Sequence, residues 1–167
     1  MKLFGALLSL AACLYAALVY QRASMQRIRL LEALVRALRR IEAELCAKAA
    51  PLPAIMQALS REGGCAGGFF AALSRGLQEL GTRSFAELWS EAAAALPALD
   101  GADRAILAEL GSALGRYPLP LQQRAVEDCA ARLAERLETA RGRYREQSRL
   151  VWALALSAGA LLGIVLI

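Results

Sequence analysis

Residues 119–167 read LPLQQRAVEDCAARLAERLETARGRYREQSRLVWALALSAGALLGIVLI. Val126, Ala130, Leu133, Leu137, Ala140 and Tyr144 recur at alternating steps of four and three, which draws one apolar stripe along a helix. No proline follows Pro120, and Gly142 is the one weak helix former before the charges end at Arg149. The stripe leads straight into Leu150. One helix is therefore expected from near Leu119 onward, about 70 Å long at the usual rise. Its uncharged last part, Leu150–Ile167, amounts to about 27 Å of helix, close to the thickness of a bilayer core.

The other end of the chain mirrors this one. Leu3–Tyr20 is also uncharged, and these two stretches hold the apolar surplus of a 167-residue chain with 57% hydrophobic residues and a mean hydropathy of +0.40. The expected organisation is an N-terminal transmembrane helix at 1–20, an α-helical domain at 21–149 and a C-terminal transmembrane helix at 150–167. A cleaved signal peptide competes for the first segment, and the run LAAC ending at Cys13 resembles a lipoprotein cleavage site. The retained anchor is preferred, because the residues after Cys13 stay apolar where a mature chain normally turns polar. Arg22, Arg27, Arg29 and Arg36 follow the first segment; Arg132, Arg136, Arg141, Arg143, Arg145 and Arg149 precede the second. The positive-inside bias then places the domain in the cytoplasm and both termini outside. The net charge of +5 reads mainly as this topology signal. Nucleic-acid binding is not expected, since no basic patch is interleaved with stacking aromatics.

The domain reads as a bundle of about six helices. Ile28, Leu31, Leu34, Leu38, Ile41 and Leu45 stripe the first helix, which should run to about Ala49, with Glu32–Arg36 and Arg40–Glu44 as four-apart pairs on its wet side. Pro51 and Pro53 make a corner into a short helix at about Pro53–Arg61. A Gly-rich loop from Gly63 to Gly68 leads to a third helix over Phe69–Leu80, stopped at Gly81. Ser84 and Glu87 form a capping box for a helix that buries Phe85, Trp89 and Ala92. Asp100 caps a fifth, with Ile106, Leu107, Leu110 and Leu114 inward and a break at Gly115. No stretch alternates as a strand would.

The chemistry open to such a chain is narrow. It has no histidine, which removes imidazole nucleophile pairs and imidazole zinc sites. Cys13, Cys46, Cys65 and Cys129 form no Cys-x-x-Cys pair and are expected as free, mostly buried thiols. The Gly63–Gly68 loop lacks the Lys-Ser/Thr of a phosphate-binding loop. No catalytic, cofactor-binding or metal site is expected, and a non-enzymatic scaffold is the favoured class. Membrane packing is a further expectation: Gly159 and Gly163, with Ala155, form one small-residue stripe, and Gly5 and Ser9, with Cys13 and Ala17, form another.

The run IEAELCAKAAPLPAI (41–55) resembles a signature of the stage III sporulation protein AB family. FFAALSRGL from Phe69, Trp89 in AELWSEA, Leu114-Gly115 followed by Gln122-Gln123, and a glycine-containing C-terminal apolar segment match in the same order. The resemblance implies a subunit of the channel complex that endospore formers build between mother cell and forespore. It also implies a domain like that of the platform proteins of type II secretion and type IV pilus machines. Its implied partners are the membrane, a cytoplasmic ATPase (stage III sporulation protein AA) and other channel subunits, with homo-oligomerisation open. Glu42, Glu44, Gln122 and Gln123 are the candidate partner-binding residues; solvation of a helix face or capping competes for each. A membrane-tethered adaptor of a secretion or pilus-like system outside sporulation is the alternative reading.

Overall fold

The computed structural model describes residues 2–48, 51–77, 84–114 and 116–166, with the side chains of 2–14, 16–18, 20, 47–48 and 151–166 outside the description. Among these described residues six helices follow in order: α1 (Lys2–Lys48), α2 (Leu52–Glu62), α3 (Gly67–Gly76), α4 (Phe85–Ala94), α5 (Gly101–Ala113) and α6 (Leu119–Leu166). No strand occurs among the described residues, so the chain is all-α. It divides into two compact units. One comprises 27–137; the other comprises the chain's two ends, 1–26 and 138–167.

The unit 27–137 has its core where the stripes meet. Ile28, Leu31, Leu34, Leu38, Ile41 and Leu45 of α1 are all buried, as are Ile55, Met56 and Leu59 of α2 and Phe69, Phe70 and Leu73 of α3. From α4 come Trp89, Ala92 and Ala93, from α5 Ile106, Leu107 and Leu110, and from α6 Val126, Cys129, Ala130, Leu133 and Leu137. Burial of such side chains contributes roughly 1.5–3 kcal/mol each, which is what selects one packing of six amphipathic stripes. Ala140 and Tyr144, expected on the inner stripe of α6, lie beyond this unit and are half-buried. The helix continues through Gly142.

The corners follow local chemistry. Pro51 stands in extended backbone, and its carbonyl accepts from the amides of Ala54 (2.9 Å) and Ile55 (3.4 Å), opening α2. The Ser84 hydroxyl accepts from the Glu87 amide at 3.3 Å while the Glu87 carboxylate accepts from the Ser84 amide at 3.0 Å. Gly63 and Gly64 carry φ of +67° and +75°, a region that side chains with a Cβ rarely enter. The turn out of α2 needs both.

Four expectations change. The Gly-rich loop is shorter than Gly63–Gly68, because α3 takes Gly67 and Gly68 into its first turn, closed by the Phe70 amide donating to the Ala66 carbonyl at 3.2 Å. Arg40, expected only beside Glu44 on the wet side of α1, forms an ion pair with Glu62 of α2. Cys46 and Cys65 are exposed, and only Cys129 of the described thiols is buried, since Cys46 faces away from the α1 stripe and Cys65 sits in the turn. Among the described residues no helix is long and apolar enough to cross a membrane, so the two expected spans find no support there. Most of Leu3–Tyr20 and Leu150–Ile167 lies outside the described side chains, as do Cys13, Leu80, Gly81 and Gly115.

Candidate functional site

α5 opens on Asp100-Gly-Ala-Asp103. The Asp100 carboxylate accepts from the Asp103 amide at 2.8 Å, and Asp103 accepts from the Asp100 amide at 3.5 Å, so the two acids cap the first turn. Both then take a second duty. Arg27 of α1 places Nε and Nη2 at 2.9 and 2.8 Å from Asp103 Oδ2, and its Nη2 at 2.7 Å from Asp100 Oδ2. Arg136 of α6 places Nε at 2.9 Å from Asp103 Oδ1 and Nη2 at 2.5 Å from Asp100 Oδ2. Asp103 is 0% exposed. A carboxylate sealed from water is costly unless it is paired and hydrogen-bonded, and here each of its oxygens accepts from a guanidinium. Burial raises the Asp100 carboxyl, but the Asp103 amide and the charges of Arg27 and Arg136 outweigh it and hold the group below its usual 3.8. Arg136 is held above its ordinary value, chiefly by its hydrogen bond to Asp103. The cluster ties α1, α5 and α6 together without net charge.

Further along α5, Trp89 of α4 donates its indole N–H to the Leu107 carbonyl at 2.7 Å and is 0% exposed. It lies directly over Gly111: a Cβ there would stand 2.4 Å from the indole Cδ1. Phe69 meets the same indole edge-on at 5.0 Å between ring centres.

Among the described residues of this unit, two concave surfaces stand out. A groove of about 560 Å³ lies between α1, the Gly63–Ala66 turn and Phe70, edged by Arg29, Arg36 and Arg40. A smaller cleft of about 220 Å³ lies between α5 and α6, walled by Ile106, Leu110, Ala113, Tyr117, Ala125 and Cys129. Arg132 edges it, bound to Glu109 at 2.7 Å and Asp128 at 3.5 Å. Burial pushes the Cys129 thiol up to about 12, so it is no nucleophile at neutral pH. Among the described residues no group of three His, Cys, Asp or Glu is placed to hold a metal ion.

Glu42 and Glu44 lie half-buried on α1, Gln122 and Gln123 half-buried on the first turns of α6. None of the four lines either concave surface. Gln122 serves its own turn, donating Nε2 to the Tyr117 carbonyl at 2.7 Å. Gly5, Ser9, Gly159 and Gly163 lie outside the described side chains. The sequence does not single out Asp103 or Gly111, and it names Arg27 and Arg136 only as flanks of the apolar ends, not as partners of Asp103. The signals were the Asp-x-x-Asp spacing and an arginine directly before a stripe residue, Ile28 in one helix and Leu137 in the other.

No curated protein matches the chain at a significant level. A solved structure titled "Stage III sporulation protein AB (SpoIIIAB)" is similar in fold, with a TM-score of 0.65 at 22% identity over 72% of this chain and 97% of that one. The family model described as Stage III sporulation protein AB matches residues 2–167, the helical body and both apolar ends together. By that match the chain belongs to the stage III sporulation protein AB family and has a sporulation-related role.

Proposed function

We propose that the chain is a non-enzymatic platform subunit of the secretion-like channel complex formed between mother cell and forespore. In this reading Leu3–Tyr20 and Leu150–Ile167 anchor it in the mother-cell membrane around the forespore, and residues 21–149 face the cytoplasm. The body would engage a cytoplasmic ATPase of the stage III sporulation protein AA kind and other channel subunits. The observation that carries the reading is the family match across 2–167, because it takes in the apolar ends with the bundle.

The arginine distribution supports the orientation. Arg27, Arg132, Arg136 and Arg141 are paired with acids in the fold. This does not weaken the topology signal, since the bias counts basic residues near the spans and acids contribute little to it. Small residues at Gly5, Ser9, Gly159 and Gly163 would let the two anchors approach each other or a neighbouring subunit.

Cys65 is exposed and offers a direct test. In a variant whose other cysteines are replaced by serine, a membrane-impermeant maleimide should label Cys65 only after intact cells are opened. Labelling of intact cells would overturn the topology. Purification of the detergent-solubilised protein from sporulating cells should bring the ATPase with it; its absence in the presence of other channel subunits would remove it as a direct partner.

A further inference from the structure

The large hydrophobic side chains described as exposed in the unit 27–137 are Tyr117, Leu119 and Leu121, at 49%, 40% and 47%. They are neighbours in sequence, at the start of α6. A single exposed leucine needs no explanation, but three together on a domain whose other stripes are buried do. The ridge is preorganised. The Pro118 carbonyl accepts from the amides of Leu121 at 2.9 Å and Gln122 at 3.2 Å, and the Gln122 side chain holds the Tyr117 carbonyl. Pro118 and Pro120 stiffen the backbone between them.

Tyr117 is also a wall of the α5–α6 cleft, so ridge and cleft are continuous. The cleft offers Ile106, Leu110, Ala113 and Ala125 to an apolar side chain. Arg116 and Arg124 are exposed beside the ridge, and neither forms an ion pair among the described residues. The acids nearest the cleft, Glu109 and Asp128, are both bound to Arg132.

We propose that this ridge and cleft dock an amphipathic helix of another protein, apolar on one face and acidic beside it. The apolar face covers Tyr117, Leu119 and Leu121 and sends one side chain into the cleft, while its acids meet Arg116 and Arg124. Two-fold packing of the patch on itself would gather four arginines, Arg116 and Arg124 of each copy, on one apolar contact, which favours an acidic partner over a second copy of this chain. The position suits an incoming partner: Leu119 is about 27 Å along α6 from Leu137, where that helix leaves the unit. The inference rests on the platform reading in one respect, that the chain acts by gripping a partner.

The test uses the full chain in detergent and a fluorescein-labelled model helix of about four turns, with leucine on one face and glutamate beside it. Fluorescence anisotropy should show binding, with a helix carrying lysine for glutamate at least about tenfold weaker. Y117S combined with L121S should weaken binding of the glutamate helix by about tenfold or more. R116E combined with R124E, a change confined to exposed side chains, should reverse the preference between the two helices even if the serine variant folds poorly. Equal affinity for the two helices, no binding of the glutamate helix, or the same preference after R116E/R124E would overturn the proposal. So would a fall in the protein's mass by light scattering in L121S, which assigns the face to self-association. Maleimide labelling of Cys65 from outside would end the proposed topology and leave this result standing.

Discussion

In its first turn α5 holds Asp103 between Arg27 of α1 and Arg136 of α6; two turns later, Gly111 lies bare beneath the indole of Trp89. One end of the helix is located by charge, the other by shape. The charged end is directional: Asp103 has a defined partner on each oxygen, and the guanidinium forks fix the rotation of α1 and α6 as well as their spacing. The apolar end tolerates no added volume, since a single methyl group would enter the indole. A buried ionic cluster gives less net stability than an apolar contact of the same size, because desolvation offsets the attraction, yet losing one member leaves the others uncompensated. The two ends should therefore respond differently to substitution and to solution conditions.

The largest effect is expected at the apolar end. Trp89→Ala removes a fully buried indole and its hydrogen bond to Leu107, and should cost about 4 kcal/mol in denaturant unfolding. Next comes Asp103→Ala, at about 3 kcal/mol, because Arg27 and Arg136 lose their principal acceptor; the cost should persist in high salt, where surface pairs fade. A cost near that of an exposed pair, roughly 0.5 kcal/mol, would show that the charged end does not position α5. Gly111→Ala should cost about 2 kcal/mol despite the better helix former, and combining it with Trp89→Leu should cost less than the sum. That sub-additivity would tie the effect to the indole.

The smallest effect is one of pH. Asp100 titrates below 3.8 in the folded chain, so its contribution is fully present above about pH 4 and is lost as pH falls through the folded value. Asp100→Asn keeps the helix cap but not the charge. It should cost well under about 1 kcal/mol at neutral pH, because the partly exposed Asp100 pairs are screened by solvent, and flatten the loss of stability as pH falls below about 4, measured by thermal melts. An unchanged acid limb would assign that loss to other carboxylates.

The apolar end was largely legible in the sequence and the charged end was not. Trp89, Ile106, Leu107 and Leu110 sit on helical periods, and a period needs only a window of one helix to be read. The Ser84–Glu87 box and the Asp100 cap are equally local. Arg27 and Asp103, by contrast, are 76 residues apart, and Arg136 and Asp103 are 33 apart. No periodicity links such positions, and both arginines already had a sufficient reading as flanks of apolar segments. Gly111 escaped for a related reason: a glycine inside a helix signals a close approach, but not of what. The ridge at Tyr117, Leu119 and Leu121 reads in sequence only as the passage from the break at Gly115 into the last helix, because exposure depends on what the fold fails to cover. The candidate partner residues Glu42, Glu44, Gln122 and Gln123 line neither cleft, and Gln122 meets the ridge only through its hydrogen bond to the Tyr117 carbonyl.

The contrast among the cysteines has a practical consequence. Cys46 and Cys65 are open to reagent in the native chain, while Cys129 is enclosed between α5 and α6 with its proton firmly held. Among the described thiols, an alkylating reagent at neutral pH thus meets two immediate targets and one that becomes available only when the helices part. Cys129 is a timer built into the chain, and the delay before it reacts measures how often the bundle breathes.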